Sequence, residues 1–378
     1  WTANGVEPLT LVHFDGSKIY TTQDQVAKGG AAATFHVERG LAKVTMTKPT
    51  STTVTGTVYA NDKVSITGWQ LDVTNRSSFP IHNVYGLKDS YSDIWNEVTS
   101  NDAFTVNRFH DMANSFKRVY WAMDPNYNSD TKLNQASSVK ACHDAFNIAT
   151  DSSKIQKSFD NPQYCLENTF DIANMTQGQT TRVLFQATYA PKDIKSGTTF
   201  FKVGSAMYTQ TSLETLINNI AKTVDANYAT DYTLSLGTIA TTAGEAALTA
   251  ANFKAAEGVT STVTAENLAV KVNELLNSKI ATYLHGVCFY IGRIQHFGTE
   301  TPWSTTDETY GGDNQKFLGR YGVVRNNWYS LSVNSVTGPG VPTPPEVIPE
   351  NPDDEKNVYV NMTVKILQWA KRTQAMDL

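Results

Sequence analysis

The chain has 378 residues, a formal net charge of −5, only 18% charged residues and 11% aromatics, with Thr, Ser, Asn and Gly abundant. That length allows a substantial core in one large domain or two smaller ones. A net negative charge without a Lys/Arg-rich run excludes binding by phosphate neutralisation, so neither nucleic acid nor an anionic membrane is an expected partner, and the composition fits an extracellular or periplasmic β-rich protein.

The chain begins at Trp1 without Met and holds no run of 18 apolar residues, as expected of a processed chain or a fragment. Short alternating apolar runs then follow: Val64 and Ile66; Trp69, Leu71 and Val73; Val183, Phe185, Ala187 and Tyr189; Val287, Phe289 and Ile291; Tyr329, Leu331 and Val333. Each reads as a half-buried strand, and several such strands without regular helices between them favour an antiparallel β-sandwich. Residues 101 to 165 are polar, with weak periodicity around Phe104, Phe109, Met112 and Phe116, and read as an elaborated loop region. They carry Cys142 and Cys165, the candidate disulfide pair; Cys288, in the apolar run Gly286-Val-Cys-Phe-Tyr290, reads as a small buried hydrophobe.

Two helices interrupt the strands within an insertion at about 205–280. The first begins at Thr211, paired with Glu214 as a capping box, with Leu213, Leu216, Ile217 and Ile220 on one face; the second starts near Thr264 and aligns Leu268, Val272, Leu275 and Leu276. Between them, residues 225 to 260 are rich in Ala, Thr and Gly, which predicts a surface excursion rather than a core element. No internal repeat recurs at a fixed period.

The tail is sharply organised. Six prolines fall between Thr337 and Lys356, a composition that disfavours helix and ladder pairing and predicts an extended linker over 337–356. Fully extended as polyproline it would span about 60 Å. Residues 357–378 follow, in which Val358, Val360, Met362, Val364 and Ile366 alternate with polar residues before Leu367 and Trp369 take the opposite phase, which predicts a bulge or a change of sheet face at 366/367. A lone apolar strand on a long tether needs a groove. Supplied to a neighbouring copy, it generates an open head-to-tail fibre; folded back, it becomes an edge strand of its own domain.

Catalytic chemistry does not emerge from the residues. The seven histidines, at 13, 36, 82, 110, 143, 285 and 296, share no metal-ligand spacing. Ser137-Ser-Val-Lys140 lacks the companion motifs of penicillin-interacting enzymes. Asp124, Asn126, Asn128 and Asp130 alternate like calcium-loop ligands but lack the turn Gly and the closing Glu, and read as a polar turn. No catalytic residue, metal site or cofactor is expected. Trp303 and Tyr310 could stack on sugar rings, which keeps a monomeric surface adhesin or carbohydrate-binding module, its C-terminal strand self-complemented, as the alternative.

Four segments resemble the fimbrillin family of Bacteroidales, the type V pilins, and in particular the shaft subunits of short fimbriae. They are His36-Val-Glu-Arg-Gly-Leu-Ala-Lys-Val44, Trp69-Gln-Leu-Asp-Val-Thr-Asn75, Gly322-Val-Val-Arg-Asn-Asn-Trp-Tyr329, and the Pro-rich linker leading to Val360-Asn-Met-Thr-Val364, Trp369 and Asp377-Leu378. The resemblance implies a two-part, transthyretin-like antiparallel β-sandwich, with 1–40 the remnant or end of an N-terminal domain and 41–336 the sandwich region. It further implies export as a lipoprotein, cleavage after an Arg, and a place in a fimbrium at the bacterial outer membrane. Polymerisation would insert the C-terminal strand (Val358, Val360, Met362, Val364, Ile366, Leu367 and Trp369) into a neighbour. The implied partners are identical subunits, tip and anchor fimbrial proteins, and host or bacterial surface ligands.

Overall fold

A computed structural model describes residues 15–30, 33, 39–49, 52–55, 58–80, 110–111, 118–119, 121–122, 124–127, 144–149, 151–169, 175–259, 261–296, 318–346 and 360–368. The fold is mostly β, with several antiparallel sheets and a few helices.

The strands, in chain order, are β1 (Leu41–Met46), β2 (Thr52–Thr53), β3 (Lys63–Asp72), β4 (Thr74–Asn75), β5 (His110–Asp111), β6 (Arg118–Val119), β7 (Phe146–Asn147), β8 (Gln163–Leu166) and β9 (Arg182–Ala190). They continue with β10 (Phe200–Val203), β11 (Ala206–Tyr208), β12 (Tyr232–Leu234), β13 (Gly244–Ala246), β14 (Phe253–Ala255), β15 (Ile280–Tyr283), β16 (Val287–Arg293), β17 (Asn327–Val336) and β18 (Val360–Gln368). Two four-stranded sheets, β18-β17-β1-β8 and β16-β9-β3-β2, face each other as a sandwich. Their inner faces share one core: Ala42, Val44, Tyr329 and Leu331 from the first, Trp69, Phe185, Tyr189 and Tyr290 from the second. Burying each such large side chain contributes roughly 1.5–3 kcal/mol relative to exposure. Pairing is antiparallel throughout the two sheets except between β1 and β17, which run parallel with Val44 opposite Tyr329.

The alternation of β9 is as the sequence predicts, with Val183, Phe185, Ala187 and Tyr189 all in the sandwich core. The two runs at 64–66 and 69–71 belong to one strand, β3, whose register shifts between Ile66 and Gly68. That extra residue turns the even-numbered apolar set into an odd-numbered one on the same face. Gly68 permits it: a Cβ there would lie 2.9 Å from the Gln156 carbonyl oxygen. Val73 falls outside the strand, in left-handed backbone at φ 54°.

On β16 the expected phase is reversed. Cys288 and Tyr290 point into the sandwich core, while Phe289 packs with Ile155 and Leu184 on the opposite side. Both faces of this strand are covered, so apolar residues occupy every phase and alternation no longer identifies the inner one. Cys288 is fully buried, and burial pushes its thiol up to about 12.

Residues 225 to 260 are not a surface excursion. Tyr228, Tyr232, Leu236, Ile239, Leu248 and Phe253 lie in a second core with Leu213, Ile217, Leu268 and Val272. The sheet β11-β10-β15-β13 connects the two cores: Phe200 and Tyr283, stacked at 4.5 Å, face the sandwich, whereas Phe201 and Ile280 face the helices. Short paired strands β12 and β14 and single helical turns at Tyr228–Asp231 and Thr238–Thr241 supply Tyr232, Phe253, Tyr228 and Ile239, and the connecting segments supply Leu236 and Leu248, each singly and below the length at which periodicity registers.

The first six-residue helix, α1, is Gln23–Lys28; the two longer ones are α2 (Gln210–Val224) and α3 (Ala265–Leu276). The N-cap of α2 is Thr209, accepting from the Ser212 amide, rather than Thr211; Glu214 instead accepts from Gln210 Nε2 at 2.9 Å. Thr264 caps α3 as expected and Leu268 and Val272 are buried, but Leu275 is 60% exposed.

Candidate assembly site

The C-terminal strand lies at the edge of the first sheet. β18 pairs antiparallel with β17, with Tyr329 opposite Ile366, Leu331 opposite Val364, Val333 opposite Met362 and Val336 opposite Val360. Directly opposed residues share a sheet face. The alternating apolar set of β18 therefore occupies the register positions facing Tyr329, Leu331 and Val336, the core residues of β17. The ladder runs regularly through 366 and 367, with Trp328 opposite Leu367; its irregularity lies on β17 itself, between Val333 and Ser335. Val358 and Trp369 lie outside the described residues.

β17 is fixed independently of β18. On its other side β1 pairs with it, and Lys43 Nζ lies 4.1 Å from the Trp328 ring centroid while Trp328 Nε1 donates to Thr45 Oγ1 at 2.8 Å. The Arg325-Asn-Asn-Trp-Tyr329 segment forms its N-terminal anchor. Asn326 takes left-handed backbone (φ 62°), a conformation Asn tolerates, and donates its amide to the Leu41 carbonyl at 2.9 Å. The Arg325 guanidinium, almost entirely buried, pairs with Glu167 at 2.5 Å and also donates to the carbonyls of Phe79 and Pro80. The Tyr329 hydroxyl accepts from the Val324 amide at 2.8 Å and meets His296 Nδ1 at 2.7 Å.

Behind this anchor lies a buried polar cluster. Asn75 donates its amide to Asp124 and, at 2.7 Å, to the Glu167 carbonyl, while Asn126 donates its backbone amide to Asp124 at 2.9 Å and its side chain to Asn75 Oδ1. Burial pushes the Asp124 carboxyl up to about 8; the hydrogen bonds from Asn126 and Asn75 oppose the shift and the nearby Glu167 adds to it. Asp124 and Asn126 sit at the start of a tight turn at Pro125–Tyr127, while Asn128 and Asp130 lie outside the described residues.

The first half of the proline-rich segment is not a free linker. Val341 exchanges backbone hydrogen bonds of 2.8 and 2.9 Å with Phe289, adding a rung to the edge of β16. Tyr283 and Tyr290 donate their hydroxyls to the carbonyls of Gly340 and Gly338 at 2.7 and 3.0 Å, and Arg182 reaches the Pro345 carbonyl at 3.2 Å. Arg182 is itself held by Asp72 at 2.7 Å. Gly340 is pressed against the strand: a Cβ there would stand 2.1 Å from the Phe289 carbonyl oxygen. Prolines disfavour a continuous ladder but leave Val341, flanked by residues without a competing ladder, able to make both bonds of one rung.

Sequence reasoning missed this strap and the Arg325–Glu167 pair. Gly338 and Gly340 alternating with Pro339 were the available sign, because glycine in an extended segment marks close backbone approach. Cys165 is a buried thiol on β8, pushed up to about 12 by burial, and Cys142 lies outside the described residues. Trp303 and Tyr310 also lie outside them, as does most of 101–165. Among the described residues no helix is long and apolar enough to cross a membrane.

Residues 281–375 match the family described as major fimbrial subunit protein type IV, fimbrillin, C-terminal. The matched stretch takes in β16, β17, the strap and β18. No curated protein matches the chain.

Proposed function

With the fimbrillin family, a structural family of cell-surface fimbrial subunits, supported at residues 281–375, we propose that this chain is a non-enzymatic fimbrial subunit that polymerises head to tail by giving its C-terminal strand to the next copy. The observation that carries this reading is the match of residues 281–375 to the C-terminal region of a fimbrial subunit family, a stretch whose last strand, β18, lies at the edge of its sheet. β18 is an edge element near the end of the chain, and an edge strand carries its binding information in backbone bonds and alternate side chains, so one copy can supply it to another. In this reading the donor residues are Val358, Val360, Met362, Val364, Ile366, Leu367 and Trp369, with 337–356 as linker and 41–336 as sandwich region. Identical subunits are the main partners, with tip and anchor proteins at the ends. The fimbrium, matured from a lipoprotein precursor at the outer membrane, serves adhesion and biofilm formation.

The test compares the full chain with one ending at Lys356, each treated with trypsin to mimic Arg-directed maturation. Filaments by negative-stain microscopy and SDS-resistant ladders are expected from the full chain alone. A folded full chain that stays monomeric would defeat strand donation. A second reading, a monomeric adhesin with a self-complemented strand, is favoured by one observation: β18 pairs with β17 of its own chain. Glycan affinity in a persistently monomeric protein would support it.

A further inference from the structure

Across the second sheet, three charged residues stand in one row. Asp72 on β3, Arg182 on β9 and Arg293 on β16 are directly opposed in the two ladders, and opposed residues share a face. That face is the outer one, where Leu184 and Phe289 pack with Ile155. Asp72 and Arg182 neutralise each other through a buried contact of 2.7 Å. Arg293 is left over: it is half-buried, it stands opposite a second guanidinium, and no carboxylate among the described residues pairs with it. Glu346, one residue beyond Pro345 on the strap, is exposed and pairs with neither arginine. Like charges directly opposite each other destabilise an antiparallel pair, and here one positive charge has no counterpart.

The nitrogens of Arg182 point to what is missing. Nε donates to Asp72 and Nη2 to the Pro345 carbonyl at 3.2 Å, whereas Nη1 is buried with no hydrogen-bond partner among the described residues. Arg182 is only 3% exposed, and a charged donor buried without an acceptor is costly. A cavity of about 10 Å³, room for one water-sized sphere, is lined by both arginines together with Gln177, Thr180 and Ile291. No acidic residue lines it, and the Thr180 hydroxyl donates to the Thr176 carbonyl at 2.8 Å, so the two guanidinium groups set the sign of the site. From this geometry we infer a halide-sized anion site between Arg182 and Arg293, with chloride as its occupant. A single negative charge offsets the one uncompensated positive charge and separates the opposed guanidinium groups. It also gives Nη1 an acceptor in a charge-assisted hydrogen bond. Sulfate and phosphate, each with four oxygens, are too large for the space. Because Arg182 also holds the strap through Pro345, the anion fixes a group on which the strap depends. The site is independent of how copies assemble.

The test follows urea unfolding of the full chain as sodium chloride replaces sodium methanesulfonate at constant ionic strength. Above the dissociation constant, each tenfold rise in chloride is expected to raise the folding constant about tenfold. Arg293→Gln removes the uncompensated charge and is expected to abolish that dependence. Crystals of the unsubstituted chain soaked in sodium bromide are expected to show the bromide anomalous signal within hydrogen-bonding reach of Arg182 Nη1 and the Arg293 guanidinium, a readout that stands even if the variant fails to fold. An equal chloride dependence in both proteins, or bromide found elsewhere as an adventitious ion only, would overturn the site. Stabilisation by sodium acetate but not by chloride would overturn the halide in favour of a carboxylate.

Discussion

Residues 337–346 and residues 360–368 close two borders of the same sandwich by opposite means. The strap makes a single rung, Phe289 with Val341, and depends on particular atoms around it: two tyrosine hydroxyls, the Arg182 guanidinium and the missing Cβ of Gly340. β18 makes a long ladder in which the backbone does most of the pairing. A closure built on one-off fits belongs to its own chain, whereas a closure built on a repeated ladder can be offered to any identical edge. The first is therefore expected to behave as part of the fold and the second as an exchangeable part.

The largest effect is expected from breaking the strap. Gly340→Val places a side chain against backbone atoms of Phe289, 2.1 Å from its oxygen and 2.8 Å from its carbon, that cannot step aside. A loss of about 3 kcal/mol in urea unfolding is expected, the scale of severe overpacking. Hydrogen exchange at Phe289 and Val341 would rise while the amides of β18 keep their protection. Unchanged stability would mean that the strap is not seated on β16.

Next comes the anchor of β17. Tyr329→Phe removes the acceptor of the Val324 amide and the partner of His296, leaving a buried donor unsatisfied at a cost of about 2 kcal/mol. Here the amides of β17 and β18 would lose protection together, the reverse of the strap variant. Loss of protection confined to the strap would contradict the separation of the two closures.

The most conditional effect, visible only as a pH dependence of stability, is that of Asp124. Its folded carboxyl titrates near 8, above the ordinary value near 4, so the folded state holds a proton that the unfolded chain gives up. The contribution is fully present below pH 4 and declines as pH rises towards 8, by at most about 1.4 kcal/mol per pH unit. Asp124→Asn keeps a neutral side chain at all these values and is expected to flatten the decline. Parallel stability–pH curves for the two proteins would remove Asp124 from the account.

Legibility tracked the regularity of the local pattern. The inward set on β9, the Thr264 cap and the alternation of β18 were visible because each is a property of adjacent residues, and the register of β18 sets that same alternating group opposite Tyr329, Leu331 and Val336. Cys288 was read as buried for the same reason, although the phase of its strand was not. Where both faces of a strand are covered, as on β16, the period-2 signal vanishes. Where core residues arrive singly from short turns, as Tyr228 and Ile239 do, composition points to surface.

By itself the sequence determined a β-rich, weakly charged chain with an apolar strand at its C-terminal end, because composition and period are carried by neighbours along the backbone. Only the tertiary structure decided that the proline-rich segment begins as a strap, that Arg325 finds Glu167, and that β18 completes the edge of β17. Those pairings join residues far apart in the chain, and no local preference of either partner specifies the other.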